Sequence, residues 1–304
     1  MRAAAILGPW GTSRDLGDFS AGAELAIIES PQPGYDCILL FGGDGTVHRH
    51  LPGLLRAQTP LLMVPAGSGN DFARALGLGT RERALAAWKK FCSGAGNVLR
   101  IDVGVIKTGE LRSLGQPGAP PPQPANSGRA GDPGAVPTHF FVCVAGAGLD
   151  SAVNRVANRL PRWLRGRGGY ILALPAALLS FRPQRITLEL AGSGDGISEP
   201  AMLAAFANAP AYGHRMRIAP RAELSDGRLD VCFVRRTGKL RLLRFFPKVF
   251  SGAHLEMPEV EYRQVERLWV SSETRLDIYA DGEYICPTPA EISVLPLALV
   301  VVVP

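Results

Sequence analysis

The chain has 304 residues and a mass of 32.4 kDa, with 46% hydrophobic and 20% charged residues; it is long enough for two domains with separate cores and too apolar for a disordered chain. A formal charge of +6 favours anionic partners, whether nucleotide phosphates, nucleic acid or acidic lipid headgroups, without choosing among them. The five cysteines, Cys37, Cys92, Cys143, Cys232 and Cys286, are scattered and form no CxxC pair. They give no sign of a disulfide framework or a zinc site and fit a reducing cytosol.

From the start, Met1 to Leu7 is too short an apolar run for a signal peptide and reads as a strand over Ala4–Leu7. A glycine loop follows, Gly8-Pro9-Trp10-Gly11-Thr12-Ser13. Strands are expected again at Cys37–Phe41 and Leu61–Val64, and helices at Val47–Ala57 and Asp71–Leu76. That alternation, punctuated by glycine turns, predicts an α/β domain with a mainly parallel sheet over residues 1–110. Residues 111–138 turn to proline, glycine, serine and alanine without apolar periodicity, as in a disordered insertion or linker.

Beyond it, strands are expected at His139–Ala145, Arg185–Leu190, Met202–Ala207, Leu229–Val234, Arg267–Ser271, Leu276–Ala280 and Ile292–Val303. They predict a β-rich, sandwich-like second domain over 139–290, with a return of residues 291–304 to the first domain left open. Helices are expected from Ser151 to about Leu164 and from Gly238 to Phe250. Basic residues crowd both stretches: Arg155, Arg159, Arg162, Arg165 and Arg167 in the first, Arg235, Arg236, Lys239, Arg241, Arg244 and Lys248 in the second. Leu240, Leu243, Phe246 and Phe250 recur at helical spacing, so the second helix reads as packed on the sheet with a solvated basic face, or as a basic amphipathic element resting on an anionic bilayer, two readings that are compatible. No segment has the length of a membrane-spanning helix.

Chemistry concentrates in two glycine turns. Gly42-Gly43-Asp44-Gly45-Thr46 follows a strand and leads into Val47 and His48 of a helix, a geometry that offers backbone N–H groups and the favourable end of the helix dipole to phosphate. Pro65-Ala66-Gly67-Ser68-Gly69-Asn70-Asp71 repeats the arrangement after the next strand. On adjacent parallel strands the two turns would share one carboxyl edge and hold one polyphosphate. Neither fits GxxxxGK[ST] or GxGxxG.

GGDGT followed by PxGSGNDxAR resembles the paired signature of the diacylglycerol kinase catalytic-domain family, in which threonine usually stands at Ser68. The likeness continues through Phe206-Ala207-Asn208, Gly213, Ile218-Ala219-Pro220, Asp226-Gly227-Arg228-Leu229-Asp230-Val231 and Asp281-Gly282-Glu283. It implies an ATP-dependent lipid kinase acting on a diacylglycerol-like alcohol, with ATP in the cleft between the domains. In it Gly42 to His48 and Ser68 hold ATP phosphates, Asp44 joins an acidic network around Mg²⁺, and Glu283 with Asp281 accepts the hydroxyl proton. A structural Mg²⁺ is implied at Asp226, with carbonyls of Glu223 and Arg228. The same turns contribute Gly67, Gly69, Asn70 and Asp71 to the nucleotide site, and the first glycine loop contributes Thr12.

Each of these has a plainer reading. Asp281-Gly282 alone is a hairpin turn, Asp226 alone a turn cap, and Asp150 either a further acid or a helix cap. The chain departs from the pattern in its first glycine loop and at His214-Arg215, where a glycine usually follows Gly213. A soluble-substrate kinase of NAD-kinase type and an inactive nucleotide- or lipid-binding homologue are the alternatives. The expected setting is cytoplasmic with peripheral contact to an anionic membrane surface, without nucleic acid; homodimer formation is left open.

Overall fold

The computed structural model describes residues 1–9, 11–108, 136–160, 169–191, 196–213 and 215–304. Trp10, the proline-rich insertion up to residue 135, Arg162, Arg165, Arg167 and His214 lie outside the described residues. The chain divides into a first unit, Met1–Asp102 with Leu297–Pro304, and a second, Val103–Pro296.

In the first unit β1 (Arg2–Leu7), β2 (Glu24–Ile27), β3 (Cys37–Gly42) and β4 (Leu61–Pro65) run parallel in the order β2-β1-β3-β4. β3 is buried along its whole length, as a central parallel strand covered on both faces must be. α1 (Asp44–Ala57) follows β3 directly and buries Val47, Leu51, Leu54 and Leu55, a helical stripe. α2 (Asp71–Ala75) follows β4. α3 (Arg81–Cys92) is capped by Thr80, whose hydroxyl accepts from the Arg83 N–H at 3.3 Å. The C-terminal segment adds a parallel neighbour to β4 through Val301 and Leu61, and the Asp102 carboxylate accepts from the Leu297 N–H at 2.7 Å.

The second unit takes over within β5 (Val98–Thr108). It comprises β6 (Thr138–Phe141), β7 (Val144–Gly148), α4 (Leu149–Arg159), α5 (Gly169–Ser180), β8 (Gln184–Leu190), β9 (Gly196–Ala207), β10 (Leu229–Arg235), α6 (Lys239–Phe245), α7 (Lys248–Ser251), β11 (Val260–Val265), β12 (Arg267–Ser272), β13 (Asp277–Ala280), β14 (Glu283–Pro287) and the first part of β15 (Ala290–Val302). Its strands pair antiparallel: β10 lies along one edge of β9, while β7 and β8 share the other. Phe141, Phe206, Phe233, Leu268 and Ile292 belong to its apolar core.

Several expectations change. The strand expected over His139–Ala145 is two strands, β6 and β7. The helix expected from Ser151 to Leu164 is α4, which starts two residues earlier and ends at Arg159 among the described residues. The single helix expected over Gly238–Phe250 is α6 and α7, separated at Phe246-Pro247 because proline fits a first helical turn better than an interior. α6 buries no residue fully; Leu242 and Phe245 are half-buried and Lys239, Leu240, Arg241, Leu243 and Arg244 are exposed. β2, α3, β5, α5, β11 and β14 are not among the elements expected from the sequence. No helix among the described residues is long and apolar enough to cross a membrane.

Candidate active site

The carboxyl ends of β1, β3 and β4 bring three glycine turns together. A Cβ placed on Gly67 would lie 2.6 Å from the Gly43 Cα, and one on Gly43 would lie 2.9 Å from the Gly67 Cα. The backbones therefore touch, which only glycine permits. The Ala66 N–H donates to the Gly42 carbonyl at 3.0 Å, and the Gly8 N–H donates to the Phe41 carbonyl at 2.7 Å. The two predicted phosphate turns thus lie side by side.

Asp44 opens α1 directly after Gly43, the helix cap. Its carboxylate reaches across to the other turn and accepts from the Asp71 and Phe72 N–H groups, both at 3.0 Å. It braces the start of α2 and ties the turns to each other. Asn70, at φ 56°, closes the second turn: its side chain accepts from the Gly67 N–H at 3.0 Å and donates to the Gly67 carbonyl at 2.7 Å. Asp71 pairs with Arg74. Gly45 and Ser68 are exposed, whereas Thr46 and Val47 are buried and His48 is half-buried on α1. Thr12 is exposed, and its N–H and hydroxyl both donate to Asp15, at 2.8 and 2.9 Å. Those bonds hold the Asp15 carboxyl below its ordinary value.

In the second unit Asp281 and Gly282 occupy the β13–β14 turn at φ 50° and 87°, the positive angles of a two-residue hairpin. The hairpin reading of this dipeptide is therefore correct as far as the backbone goes. The Asp281 carboxylate turns back to accept from the N–H groups of Val142, Cys143 and Val144, at 2.8, 2.9 and 3.2 Å. Glu283, the first residue of β14, is exposed. The turn is thus anchored by one acid and presents the other.

Asp150 is buried in the first turn of α4. The helix is capped by Gly148 without a side-chain bond, so Asp150 is not the cap; its carboxylate accepts from the Tyr212 hydroxyl at 2.6 Å. Tyr212 had no role in the sequence reading, since no spacing links it to Asp150. The Asn208 amide donates to the Val142 carbonyl at 3.0 Å. Arg215 takes φ 76°.

Glu223, Asp226 and Arg228 lie on the loop before β10. Asp226 accepts from the Arg228 N–H at 3.0 Å and from the Gln264 amide at 3.2 Å, as a turn cap does. Asp230 beyond it is fully buried, and neither carboxylate oxygen completes a hydrogen bond. Burial, with Asp226 and Glu223 nearby, pushes its carboxyl above the ordinary value, against the lowering influence of Tyr262 and Gln264. The buried Asp230 carboxylate, with the Asp226 and Glu223 carboxyls nearby, gathers oxygen donors of the kind a hard cation takes. Among the described residues no three His, Cys, Asp or Glu side chains converge as a chelate, so main-chain carbonyls have to complete any such set.

Solved structures share this fold. A putative diacylglycerol kinase from Bacillus anthracis superposes with a TM-score of 0.73 at 19% identity, covering 100% of this chain and 95% of its own. An NAD kinase from Archaeoglobus fulgidus in complex with ATP gives 0.51 at 15% identity, covering 99% and 93%. The class is therefore that of the diacylglycerol-kinase and NAD-kinase folds.

Sequence similarity narrows it. Residues 17–106 match the diacylglycerol kinase catalytic domain, and residues 143–303 match the YegS C-terminal NAD kinase beta sandwich-like domain. A diacylglycerol kinase of Mycobacterium tuberculosis is 36% identical over 271 residues, covering 89% of this chain and 78% of the relative. A probable lipid kinase YegS-like from Chromohalobacter salexigens is 26% identical over 259 residues, covering 84% and 72%. The chain belongs to the diacylglycerol kinase family and is a lipid kinase.

Proposed function

We propose that the protein transfers the γ-phosphate of ATP to the hydroxyl of diacylglycerol or a related long-chain lipid alcohol. The backbone contact of Gly43 with Gly67 carries this reading. It leaves no room for side chains between the turns and keeps an edge of main-chain N–H groups for a polyphosphate. The first turn of α1 and the Ser68-Gly69 segment donate to the phosphate oxygens; Asp44 holds the two turns in register and is a positioning residue.

Glu283 accepts the proton of the attacking hydroxyl, because its carboxylate is exposed while that of Asp281 is committed to three main-chain N–H groups. Asp281 holds the turn from which Glu283 projects. Mg²⁺ supplies charge neutralisation of the phosphates when bound. A second ion with a structural role would take Asp226 together with carbonyls of Glu223 and Arg228.

The test follows labelled phosphate from ATP into dispersed diacylglycerol, with NAD as the control acceptor. Glu283→Gln is expected to lower kcat by about 10²–10⁴-fold, the usual worth of a general base, with KM for ATP little changed. Full activity in that variant, or preference for NAD, overturns the proposal.

A further inference from the structure

Helix α5, Gly-Tyr-Ile-Leu-Ala-Leu-Pro-Ala-Ala-Leu-Leu-Ser, contains no charged residue. It packs beside α4 and buries Ala173, Leu174, Ala177 and Leu178. A helix apolar all round is normally enclosed on every side. This one is not: Leu172, Pro175, Ala176 and Leu179, at spacings of one helical face, are exposed. Leu172 is 54% and Leu179 79% accessible.

The end of that stripe meets a basic one. The Lys239 ammonium, at the start of α6, donates to the Leu179 carbonyl at 2.7 Å. The next residue, Leu240, is 84% exposed, and Leu243 and Phe250 also reach the surface. From Lys239 to Ser251 the chain carries Lys239, Arg241, Arg244 and Lys248 and no acidic residue. Arg241 is paired with Glu259 at 2.6 Å; Lys239, Arg244 and Lys248 are exposed and in no ion pair with the described carboxylates. Arg182, just past α5, is exposed as well.

Outward leucines beside unpaired cations are unfavourable in water and unsuited to a protein core. They match the boundary of a bilayer, where leucine enters the acyl region and lysine and arginine meet anionic headgroups. We propose that the face made by α5 and α6 docks the protein on an anionic lipid bilayer. The inference rests on the reading of the chain as a kinase of a bilayer-borne substrate and adds the surface that engages the bilayer. The cations select anionic lipid and the leucines set the depth of insertion. A surface built for a protein partner would show neither preference.

The test uses the full chain and sedimentation with vesicles of phosphatidylcholine, with and without phosphatidylglycerol. Phosphatidylglycerol vesicles are expected to retain the protein more strongly, with retention falling as salt rises. Leu179→Ser with Leu240→Ser, and separately Lys239→Gln with Arg244→Gln, are each expected to lower the partition coefficient on the order of tenfold or more. Transfer to a water-soluble short-chain diacylglycerol should stay unchanged in both variants, which shows that they are folded. Equal retention on both vesicle types, or unaltered partition in both variants, overturns the docking face. So does concentration-dependent self-association that the leucine variant abolishes. If vesicle binding behaves as expected but no acceptor is phosphorylated, the kinase reading fails and the docking face stands.

Discussion

Asp44 and Asp281 use the same device in different units: a carboxylate gathers main-chain N–H groups from a neighbouring segment and fixes a glycine turn in place. For Asp44 the donors open α2, so its charge also faces the positive end of that helix. Asp44→Asn keeps the shape, forfeits one acceptor and removes the charge. It is expected to cost about 1–2 kcal/mol of stability, read as a lowered urea midpoint with an unchanged slope. A midpoint equal to that of the parent would show that the brace carries no weight. Asp44 was legible as part of a phosphate turn because a second glycine turn follows the next strand; taken alone, Gly42–Thr46 reads as a tight strand-to-helix turn capped by Asp44. Its partners were not, and neither were those of Asp281: Val142, Cys143 and Val144 act through their N–H groups, which every residue except proline possesses.

At the scale of elements, the parallel strands β1, β3 and β4 were legible because each is an apolar run that ends at glycine or proline, whereas β2, four residues opening on Glu24, was not. α3 and β5 were missed although Thr80 caps the former, and α6 was extended through Pro247. The short 3₁₀ turn Ala253–Glu256 places His254 in the interior, its Nε2 3.1 Å from the Ile218 carbonyl and 3.9 Å from the Cys232 sulfur on β10. Burial pushes the imidazole below its ordinary 6.5, against the raising effect of main-chain bonds to Ile218 and Lys248. Its folded pKa is depressed, so below pH 6.5 the unfolded chain binds a proton that the folded chain refuses. Stability is expected to fall as pH drops from 6.5 toward that lower value. Thermal melts across this range should show a flatter decline for His254→Gln; parallel declines would count against the assignment.

At the scale of the whole molecule, the C-terminal segment is part of the first unit. Besides the Val301–Leu61 pairing, the Ala298 and Val303 carbonyls accept from the Gln58 and Asn97 amides, at 3.0 and 2.5 Å. Truncation after Pro296 removes these bonds and exposes the edge of β4. It is expected to leave the first unit susceptible to limited proteolysis within residues 1–102. A digestion pattern matching that of the full chain would make the segment dispensable.

The amino-acid sequence alone determined the strand-turn-helix rhythm, the two glycine turns and the acidic hairpin, and with them the kinase family. Those features depend on neighbours a few residues apart, where backbone freedom, periodicity and capping are local. Only the tertiary structure decided that Gly43 touches Gly67, that Asp281 is anchored while Glu283 is exposed, and that Leu172, Leu179, Leu240 and Leu243 remain uncovered. Each of these depends on segments distant in the chain, and spacing along a sequence does not specify which surfaces meet.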